Sequence, residues 1–321
     1  MPPMEAVPAP ERPRSFSIAG LPEEHRVERW EGHNTSALVG LRCRAADSPL
    51  RAEQTYGTVG QVRIARVAGS PHEVERSRRL IDATPTDAVA AYFPLRGRAQ
   101  FRWASGSAAL SPGSVLVCNA DQPFQRSFRD GLEELAVLVP RSLLTGVDSA
   151  RSLARPVLGD VGAAGSAGRT TARLLARALR SSSPVAADER TLVELVSVLV
   201  CGDRVDVSLA HRARARAFIE ERLRDPALDA GAIAAAVGLS ERHLGRVFAD
   251  DGTSIPRHVL RRRLDVAHSV LTDPDADHLS IADVAARCGF SSSTYFSHTF
   301  RQRFGVRAGD VRRASRPLRA G

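Results

Sequence analysis

The sequence predicts an α+β protein in which a β-rich N-terminal domain, a sandwich or barrel with a helical hairpin, precedes an all-α C-terminal domain. A chain of 321 residues favours two domains over one core. Residues 39–140 contain short alternating or apolar runs separated by glycine and proline, whereas helical segments with short turns follow one another after residue 211. The predicted boundaries are a disordered lead at 1–14, the β-rich domain at 15–201, a linker at 202–211 and the helical domain at 212–317.

Five strands and two helices of the N-terminal domain can be placed from their patterns. The expected strands are residues 61–67, 88–95, 99–103, 113–118 and 134–139, at a spacing of about ten residues that is typical of a sandwich or barrel. Apolar residues at helical spacing predict a hairpin of helices at 171–179 and 190–200, with a break at 181–184. We expect the hairpin to pack on the sheet or against a second subunit.

The charge of the chain is basic, and arginine supplies all of the positive side chains. There are 45 basic residues, none of them lysine, and 36 acidic residues, for a net charge of +9. GC-biased codon usage explains the absence of lysine more simply than selection for bidentate donors. The net charge still needs an anionic partner, and nucleic acid is the first candidate. Residues 212–321 hold 19 arginines against 13 acidic residues, so +6 of the charge lies in the last third of the chain.

The cysteines and the apolar runs indicate a reduced, cytoplasmic protein without a membrane segment. Cys43, Cys118, Cys201 and Cys288 are far apart and form no C-x-x-C pair, which fits reduced thiols and argues against a zinc site. No apolar run approaches the ~20 residues of a membrane span. The proline-rich N-terminus has no apolar segment that would predict a signal peptide.

A repeated octet is the most informative feature of the C-terminal domain. Residues 233–240, IAAAVGLS, recur 51 positions later as residues 284–291, VAARCGFS. In each copy a β-branched residue and an alanine suit a close helix crossing, a glycine suits the positive φ of a turn, and a serine is expected to cap the next helix. The matching residues are Ile233 and Val284, Ala234 and Ala285, Gly238 and Gly289, and Ser240 and Ser291. Two helix-turn-helix patterns on a basic tail indicate binding to DNA.

The helices that follow the two turns, and one helix between the copies, complete this pattern. The expected apolar anchors are Leu244, Val247 and Phe248 after the first turn, and Tyr295, Phe296 and Phe300 after the second. Between the copies, residues 254–272 place apolar side chains on one helical face. A helix of this length spans roughly 28 Å, which approaches the ~34 Å between successive major grooves on one side of a duplex. It could therefore set two recognition helices into adjacent grooves.

These motifs resemble the AraC/XylS family of transcription regulators over about residues 216–313. Beyond the two octets, the shared residues include Ile219, Glu220, Leu223, Asp225, Pro226, Gly252, Thr253, Ser254, Arg263, Leu264, Ala267, Leu271, Ser280, Ile281, Phe304 and Gly305. The resemblance implies seven helices in two helix-turn-helix units joined by one long helix, with the third and sixth helices entering the DNA. The base-facing positions that it implies are Arg242, Gly245 and Arg246 in the first unit and Ser293, Thr294 and His298 in the second. It also favours an activator that works with RNA polymerase, and we expect a homodimer.

Four positions depart from the family pattern. They are His258 and Val311, where tyrosine is usual, Ala308, where proline is usual, and His298, where arginine or lysine is usual. A neutral imidazole at 298 lacks a charge-assisted contact, so the second recognition helix is expected to rely on Arg301 and Arg303 for the DNA backbone. The run 261–263 is interpreted as a solvated helix face, in which Arg263 bridges the two units.

The β-rich half resembles the cupin-like sensing domain of many AraC-type regulators in pattern rather than in motif. No H-x-H sequence occurs in the chain, so we expect no metal and no other cofactor. Phe93, Phe101, Trp103 and Phe124 are candidates for an apolar effector pocket, although strand aromatics more often belong to an ordinary core. One alternative is a domain that only dimerises or docks a partner protein. Another is an enzyme with a DNA-binding tail, which the scattered cysteines disfavour, so we expect a regulator and not an enzyme.

Overall fold

The computed structural model describes residues 12–146, 153–162, 166–180 and 187–315. The chain divides into two compact units. The N-terminal unit comprises Arg12–Ser181 and Glu189–Ala210, and the C-terminal unit is built around His211–Gly321. Within the described ranges, no helix is both long enough and apolar enough to cross a membrane.

Two antiparallel sheets form the N-terminal unit. The strands are β1 (Arg14–Ser17), β2 (Arg42–Ala45), β3 (Ala52–Val59), β4 (Val62–Gly69), β5 (His72–Arg76), β6 (Ala88–Arg96), β7 (Ala99–Trp103), β8 (Gly106–Leu110), β9 (Ser114–Asn119), β10 (Phe124–Phe128), β11 (Leu132–Pro140) and β12 (Val157–Asp160). One sheet has seven strands in the order β1-β3-β4-β11-β6-β9-β12, and the other has five in the order β2-β5-β10-β7-β8. Apolar side chains from both sheets form one core between them, which confirms the predicted sandwich.

In the described ranges, four α-helices accompany these sheets. They are α1 (Glu23–Ala37), α2 (Arg78–Ala83), α3 (Ala167–Ala178) and α4 (Glu189–Cys201). The helices α3 and α4 pack against each other and on the seven-stranded sheet, where α3 contacts β11 and α4 contacts β12. They form the predicted hairpin, whose break at 181–184 lies outside the described residues. Strand β6 is buried on both faces, as is typical of a central strand: Ala88, Ala90 and Tyr92 line the sandwich core, and Val89, Ala91 and Phe93 on the other face are buried as well.

Several of the strands and helices that the sequence pattern missed are polar, among them β2, β5 and α1. Strands β2 and β5 read RCRA and HEVER, so charged side chains occupy their exposed faces, and the only apolar residues are Cys43 and Ala45 in β2 and Val74 in β5. Helix α1 buries only Trp30, Asn34 and Ala37. Both patterns fall below what apolar periodicity can detect.

The predicted linker, residues 202–211, contains a short 3-10 helix at Gly202–Arg204 and the beginning of α5 (Val207–Arg222). The helix begins early because Oδ1 of Asp206 accepts a hydrogen bond from the backbone N–H of Leu209 at 3.0 Å. Leu209 is buried. The predicted lead lies mostly outside the described residues, and β1 begins at Arg14.

Among the described residues, seven α-helices build the C-terminal unit, counting α5, which enters it at His211. The others are α6 (Ala230–Val237), α7 (Glu241–Ala249), α8 (Ile255–Leu271), α9 (Ile281–Arg287), α10 (Ser293–Phe304) and α11 (Ala308–Ser315). A single apolar core joins them, with Ile219, Phe248, Leu264, Phe296 and Phe300 among its buried side chains. The helical C-terminal domain is thus confirmed.

Candidate nucleic-acid interface

The first helix-turn-helix consists of α6, a short turn and α7. Asp229 caps α6, because its Oδ1 accepts a hydrogen bond from the backbone N–H of Ala232 at 2.8 Å. The turn begins at Gly238, whose φ of +73° lies in the left-handed region. Oγ of Ser240 then accepts from the backbone N–H of His243 at 3.3 Å and caps α7. These local bonds define where the two helices begin, and Gly238 ends the first of them.

Two cations project from the outer face of α7. Arg242 and Arg246 are exposed and lie one turn apart. Neither guanidinium forms a hydrogen bond or ion pair with any residue in the described ranges. Gly245 lies between them, and no atom stands within 4 Å of the point that its Cβ would occupy. This face can therefore approach a flat partner closely and offer it two planar donors.

The second helix-turn-helix consists of α9, a longer turn and α10. The side chains of Ser280 and Asp283 cap α9 reciprocally, since each accepts from the other's backbone N–H. Gly289 starts the turn with a φ of +85°. A Cβ at Gly289 would stand 2.7 Å from the carbonyl oxygen of Leu223, whereas a Cβ at Gly238 would meet nothing within 4 Å. The second turn is therefore pressed against the end of α5, and the first is open.

We expect Gly289→Ala to destabilise the C-terminal unit more than Gly238→Ala. Both substitutions force alanine into the left-handed region, at a cost of about 1–2 kcal/mol. At position 289 the backbone must also shift, because the 2.7 Å approach to a carbonyl oxygen is shorter than real Cβ contacts. We therefore expect an additional loss of about 1 kcal/mol or more. Urea unfolding followed by far-ultraviolet circular dichroism measures both variants, and equal losses would contradict the close packing at Gly289.

The cap of α10 differs from the one that the octet predicts. Ser292, not Ser291, caps the helix, with its Oγ accepting from the backbone N–H of Tyr295 at 3.2 Å. The octets repeat at 51 residues, but the buried positions of the recognition helices α7 and α10 repeat at 52. The buried pairs are Leu244 and Phe296, Val247 and Thr299, and Phe248 and Phe300. One extra residue in the second turn produces this shift.

The extra residue changes which side chains α10 exposes. Tyr295, predicted to be an apolar anchor, is 54% exposed, so that prediction is wrong. Ser293, Thr294 and His298 are exposed as expected for base-facing residues. Ser297 is exposed too and is the structural counterpart of Gly245, which sequence reasoning missed. Aligning the two helices on Phe296 instead of Ser291 would have found it.

Arg301 and Arg303 have different surroundings, although both lie in the last turn of α10. Arg301 is exposed and, with Thr294, Ser297 and His298, lines an open groove on the surface. Arg303 instead donates from Nε to Oδ1 of Asp265 on α8 at 3.1 Å. The expectation that Arg303 contacts the DNA backbone therefore conflicts with a structural ion pair that holds α10 on α8.

A buried ion pair continues this connection to α5. Nε and Nη2 of Arg262 donate to the two carboxylate oxygens of Glu220 at 2.6 and 3.2 Å, and Nη1 donates to Asp265 at 3.3 Å. Both Arg262 and Glu220 are buried. Arg263 donates from Nε to the carbonyl of Leu223 at 3.0 Å, beside the turn at Gly289. The interpretation of residues 261–263 as a solvated face is thus wrong at Arg262, which is buried. Arg263 lies between the end of α5 and the turn at Gly289, as expected of a residue that bridges the two units.

The interior of the N-terminal unit contains a cavity of about 40 Å³ between the two sheets. Arg126 lies in its wall, with its guanidinium carbon 4.0 Å from the ring centre of Tyr92, and pairs with both carboxylate oxygens of Glu134 at 2.8 and 2.5 Å. Nε of Arg126 is buried and has no hydrogen-bond partner among the described residues. The cavity has room for a few water molecules. A metabolite would have to separate the side chains that line it.

The four aromatic residues predicted to form an effector pocket, Phe93, Phe101, Trp103 and Phe124, do not line this cavity. Phe93 lies on the opposite face of β6 from Tyr92, because successive side chains of a strand alternate. Phe101 stacks on Phe124 with ring centres 5.1 Å apart and contacts Trp103. These rings fill space with one another, which is the ordinary core role.

The cysteines do not have the properties of nucleophiles. Burial raises the pKa of Cys43, Cys118 and Cys288 to about 12, so each is a neutral thiol near pH 7. A catalytic cysteine needs a lowered pKa. Among the described residues, no group of three or more His, Cys, Asp or Glu side chains is placed to hold a metal ion.

Two helix-turn-helix units with exposed recognition helices on a basic unit define a DNA-binding protein, and comparison with known proteins identifies its class. Residues 30–201 match the AraC-binding-like domain, and residues 233–314 match a helix-turn-helix domain. The first match covers more than half of the chain. The chain therefore belongs to the AraC/XylS family and is a DNA-binding transcription regulator.

Individual relatives show how far the likeness extends. The chain is 26% identical over 265 residues to the transcriptional activator NphR of Rhodococcus sp., which covers 79% of this chain and 78% of NphR. It is 35% identical over 95 residues to the transcriptional activator RhrA of Rhizobium meliloti, or 30% of each chain. The solved structure of the AraC-like transcriptional activator CuxR is 20% identical and covers 78% of this chain and 93% of that one, with a TM-score of 0.48.

Proposed function

We propose that this protein activates transcription at promoters that its C-terminal unit recognises, with α7 and α10 in the major groove. In this proposal Arg242, Gly245 and Arg246 of α7 face the bases of one segment, and Ser293, Thr294 and His298 of α10 face those of another. Arg301 contacts a phosphate. The observation that carries the proposal is the outer face of α7, where two exposed arginines lie within the first two turns of a recognition helix.

The chemistry of arginine supports this assignment. A guanidinium can donate two parallel hydrogen bonds to O6 and N7 of guanine, or pair with a phosphate. Neither Arg242 nor Arg246 is held by an acidic side chain in the described ranges, so binding DNA would break no internal ion pair. Gly245 between them lets the helix backbone come close to the groove floor.

The separation of the two recognition helices also fits a duplex. Helix α8, which connects the two helix-turn-helix units, has 17 residues, and a helix of that length spans about 26 Å at 1.5 Å per residue. Together with the side chains at its ends, it approaches the ~34 Å repeat of the major groove. The pairs from Arg262 to Glu220 and from Arg303 to Asp265 keep this spacer attached to α5 and α10.

We expect Arg246→Ala to weaken binding of the full-length protein to its promoter by about 5- to 150-fold, because one bidentate contact to a base discriminates by about 1–3 kcal/mol. Gel-shift titration of the wild-type promoter measures the change. If Arg246 contacts a phosphate instead, the slope of log affinity against log salt falls by about one. Arg44→Ala, which removes an exposed arginine from the N-terminal unit, is the matched control for net charge. Equal effects of the two substitutions would contradict a role for α7 in recognition.

Activation, dimerisation and a cytoplasmic location complete the proposal. NphR and RhrA are both described as transcriptional activators, and the similarity to NphR extends through both units of this chain. An activator at a promoter works with RNA polymerase, and a homodimer would supply two C-terminal units to the DNA. Promoter DNA as a partner and reduced cysteines favour the cytoplasm.

The N-terminal unit is proposed to sense a small molecule at the cavity beside Arg126. A buried guanidinium with an unbonded Nε next to a void is the observation that favours this role over docking alone. Thermal unfolding of the full-length protein against a metabolite panel tests it. A ligand at 100 times its Kd adds about 2.7 kcal/mol of stability. If no compound shifts the transition, the domain that only dimerises or docks a partner becomes the better account.

A further inference from the structure

The two recognition helices differ in the charge of the side chains that they expose. The outer face of α7 carries two arginines. In α10 the six residues from Ser293 to His298 contain no arginine and no acidic residue, and five of them are exposed: Ser293, Thr294, Tyr295, Ser297 and His298. The first arginine of α10 is Arg301, beyond the N-terminal residues that reach base edges in a helix-turn-helix. The segment of α10 that faces bases therefore has hydroxyls, a methyl group, an imidazole and a phenol ring.

Tyr295 is the unusual member of this set. It is one of five large hydrophobic side chains that stand exposed among the described residues, at 54%. Its ring lies 6.4 Å from that of Phe290 in the preceding turn, tilted by 50°, so Tyr295 is supported on one side and open on the other. The neighbouring Thr294 is also exposed and adds a methyl group to the same end of the helix.

We propose that α10 recognises an A·T-rich segment through the C5-methyl groups of thymine, which the Tyr295 ring and the Thr294 methyl contact. The proposal rests on the proposed function, in which both recognition helices enter the major groove. Apolar side-chain atoms contact the thymine methyl, whereas arginine is the usual partner of guanine. The binding site is therefore asymmetric, with a guanine-containing box under α7 and a thymine-containing box under α10.

The box under each helix can be found by selection from random duplex DNA with the full-length protein. We expect two enriched boxes about one helical turn apart, roughly 10 base pairs. When the selection is repeated with Arg246→Ala, we expect the base preference to weaken in one box only, and that box is then assigned to α7. The other box is then expected to be rich in A·T pairs. Enrichment of guanine contacts in both boxes would overturn the proposal.

Replacing thymine by deoxyuridine tests the methyl contact directly, because it removes the C5-methyl group and leaves every hydrogen-bonding group in place. We expect each contacted methyl group in the α10 box to account for about fourfold in affinity, from about 0.8 kcal/mol per buried carbon. The same replacement in the α7 box is the control and is expected to change affinity little. No loss in the α10 box would refute the methyl contact.

Variants of α10 test the same methyl contacts from the side of the protein. Thr294→Ser removes the methyl group and keeps the hydroxyl, and Tyr295→Ser removes an exposed ring, so both are expected to fold, which circular dichroism checks. In the double variant the deoxyuridine effect should disappear, and if it persists at full size, Thr294 and Tyr295 are not the contacts. If the wild-type protein enriches no sequence, the proposed function itself fails. Two enriched boxes without a methyl effect overturn only the inference about α10.

Discussion

Glu220→Ala is expected to lower the free energy of unfolding of the C-terminal unit by about 3–5 kcal/mol, because it leaves the buried Arg262 without its main counter-charge. The guanidinium of Arg262 is 4% exposed and Glu220 is 2% exposed, so water cannot replace the lost carboxylate. Asp188 and Asp265 remain nearby, but the Asp188 carboxylate is 3.8 Å from Nε of Arg262 and Asp265 also pairs with Arg303. We therefore expect loosening of α8 from α5, with secondary effects on α10.

The two tryptophans offer an internal control for this measurement. Trp30 and Trp103 both belong to the N-terminal unit, so tryptophan fluorescence follows that unit while far-ultraviolet circular dichroism also follows the helical one. In urea unfolding of the full-length protein, the helical transition should move and the fluorescence transition should stay. The double variant Glu220→Leu, Arg262→Met is the matched control, since apolar replacement of a whole buried pair is often neutral. A Glu220→Ala variant as stable as the wild type would contradict the importance of the pair.

Acidification is expected to destabilise the C-terminal unit through His258. Burial, followed by the nearby charges of Arg216, Arg261 and Arg262, lowers the pKa of His258 to about 3. The imidazole is fully buried and faces the ring of Phe248 at 5.6 Å, while Nη2 of Arg261 lies 3.0 Å from its Nδ1. The folded state therefore keeps this side chain neutral through most of the acidic range.

The direction of the pH effect follows from the two protonation states. The unfolded chain takes up a proton near pH 6.5 and the folded chain does so only near pH 3, so stability is full above pH 6.5 and falls as the pH drops toward 3. Between pH 7.5 and pH 5 the expected loss is about 2 kcal/mol. His258→Gln keeps a polar side chain that does not titrate. The difference in stability between wild type and variant should change by that amount over this range, and a constant difference would rule out His258 as the source.

The repeated octet allowed the helical domain to be predicted because its glycines and capping residues act locally. Gly238 and Ser240 shape the first turn through their own backbone and side chain, so a short motif carries the information. The register of α10 was harder to predict because one inserted residue shifts every later side chain by about 100° around the helix. The buried side chains of Phe296, Thr299 and Phe300 reveal that shift, and burial is a property of the folded unit.

In the N-terminal unit, the sequence predicts individual strands but not the contacts between strands. Strands such as β6, with seven buried residues in succession, were found from composition alone. The pairing of Arg126 with Glu134 was not, because their strands β10 and β11 lie in different sheets and meet only when the sandwich closes. An aromatic residue in a strand likewise does not tell which face it occupies until the register is known, as Phe93 illustrates.

Gly245 lowers the stability of α7 at the centre of the recognition surface. Glycine in a helix interior is less favourable than alanine by about 1 kcal/mol, and a Cβ at this position would meet no atom within 4 Å. New side chains can therefore be tried at this position with a gain in folding stability instead of a loss. The protein retains room to acquire a different DNA preference by a single substitution, and the position most accessible to that change lies between the two arginines on which its present preference depends.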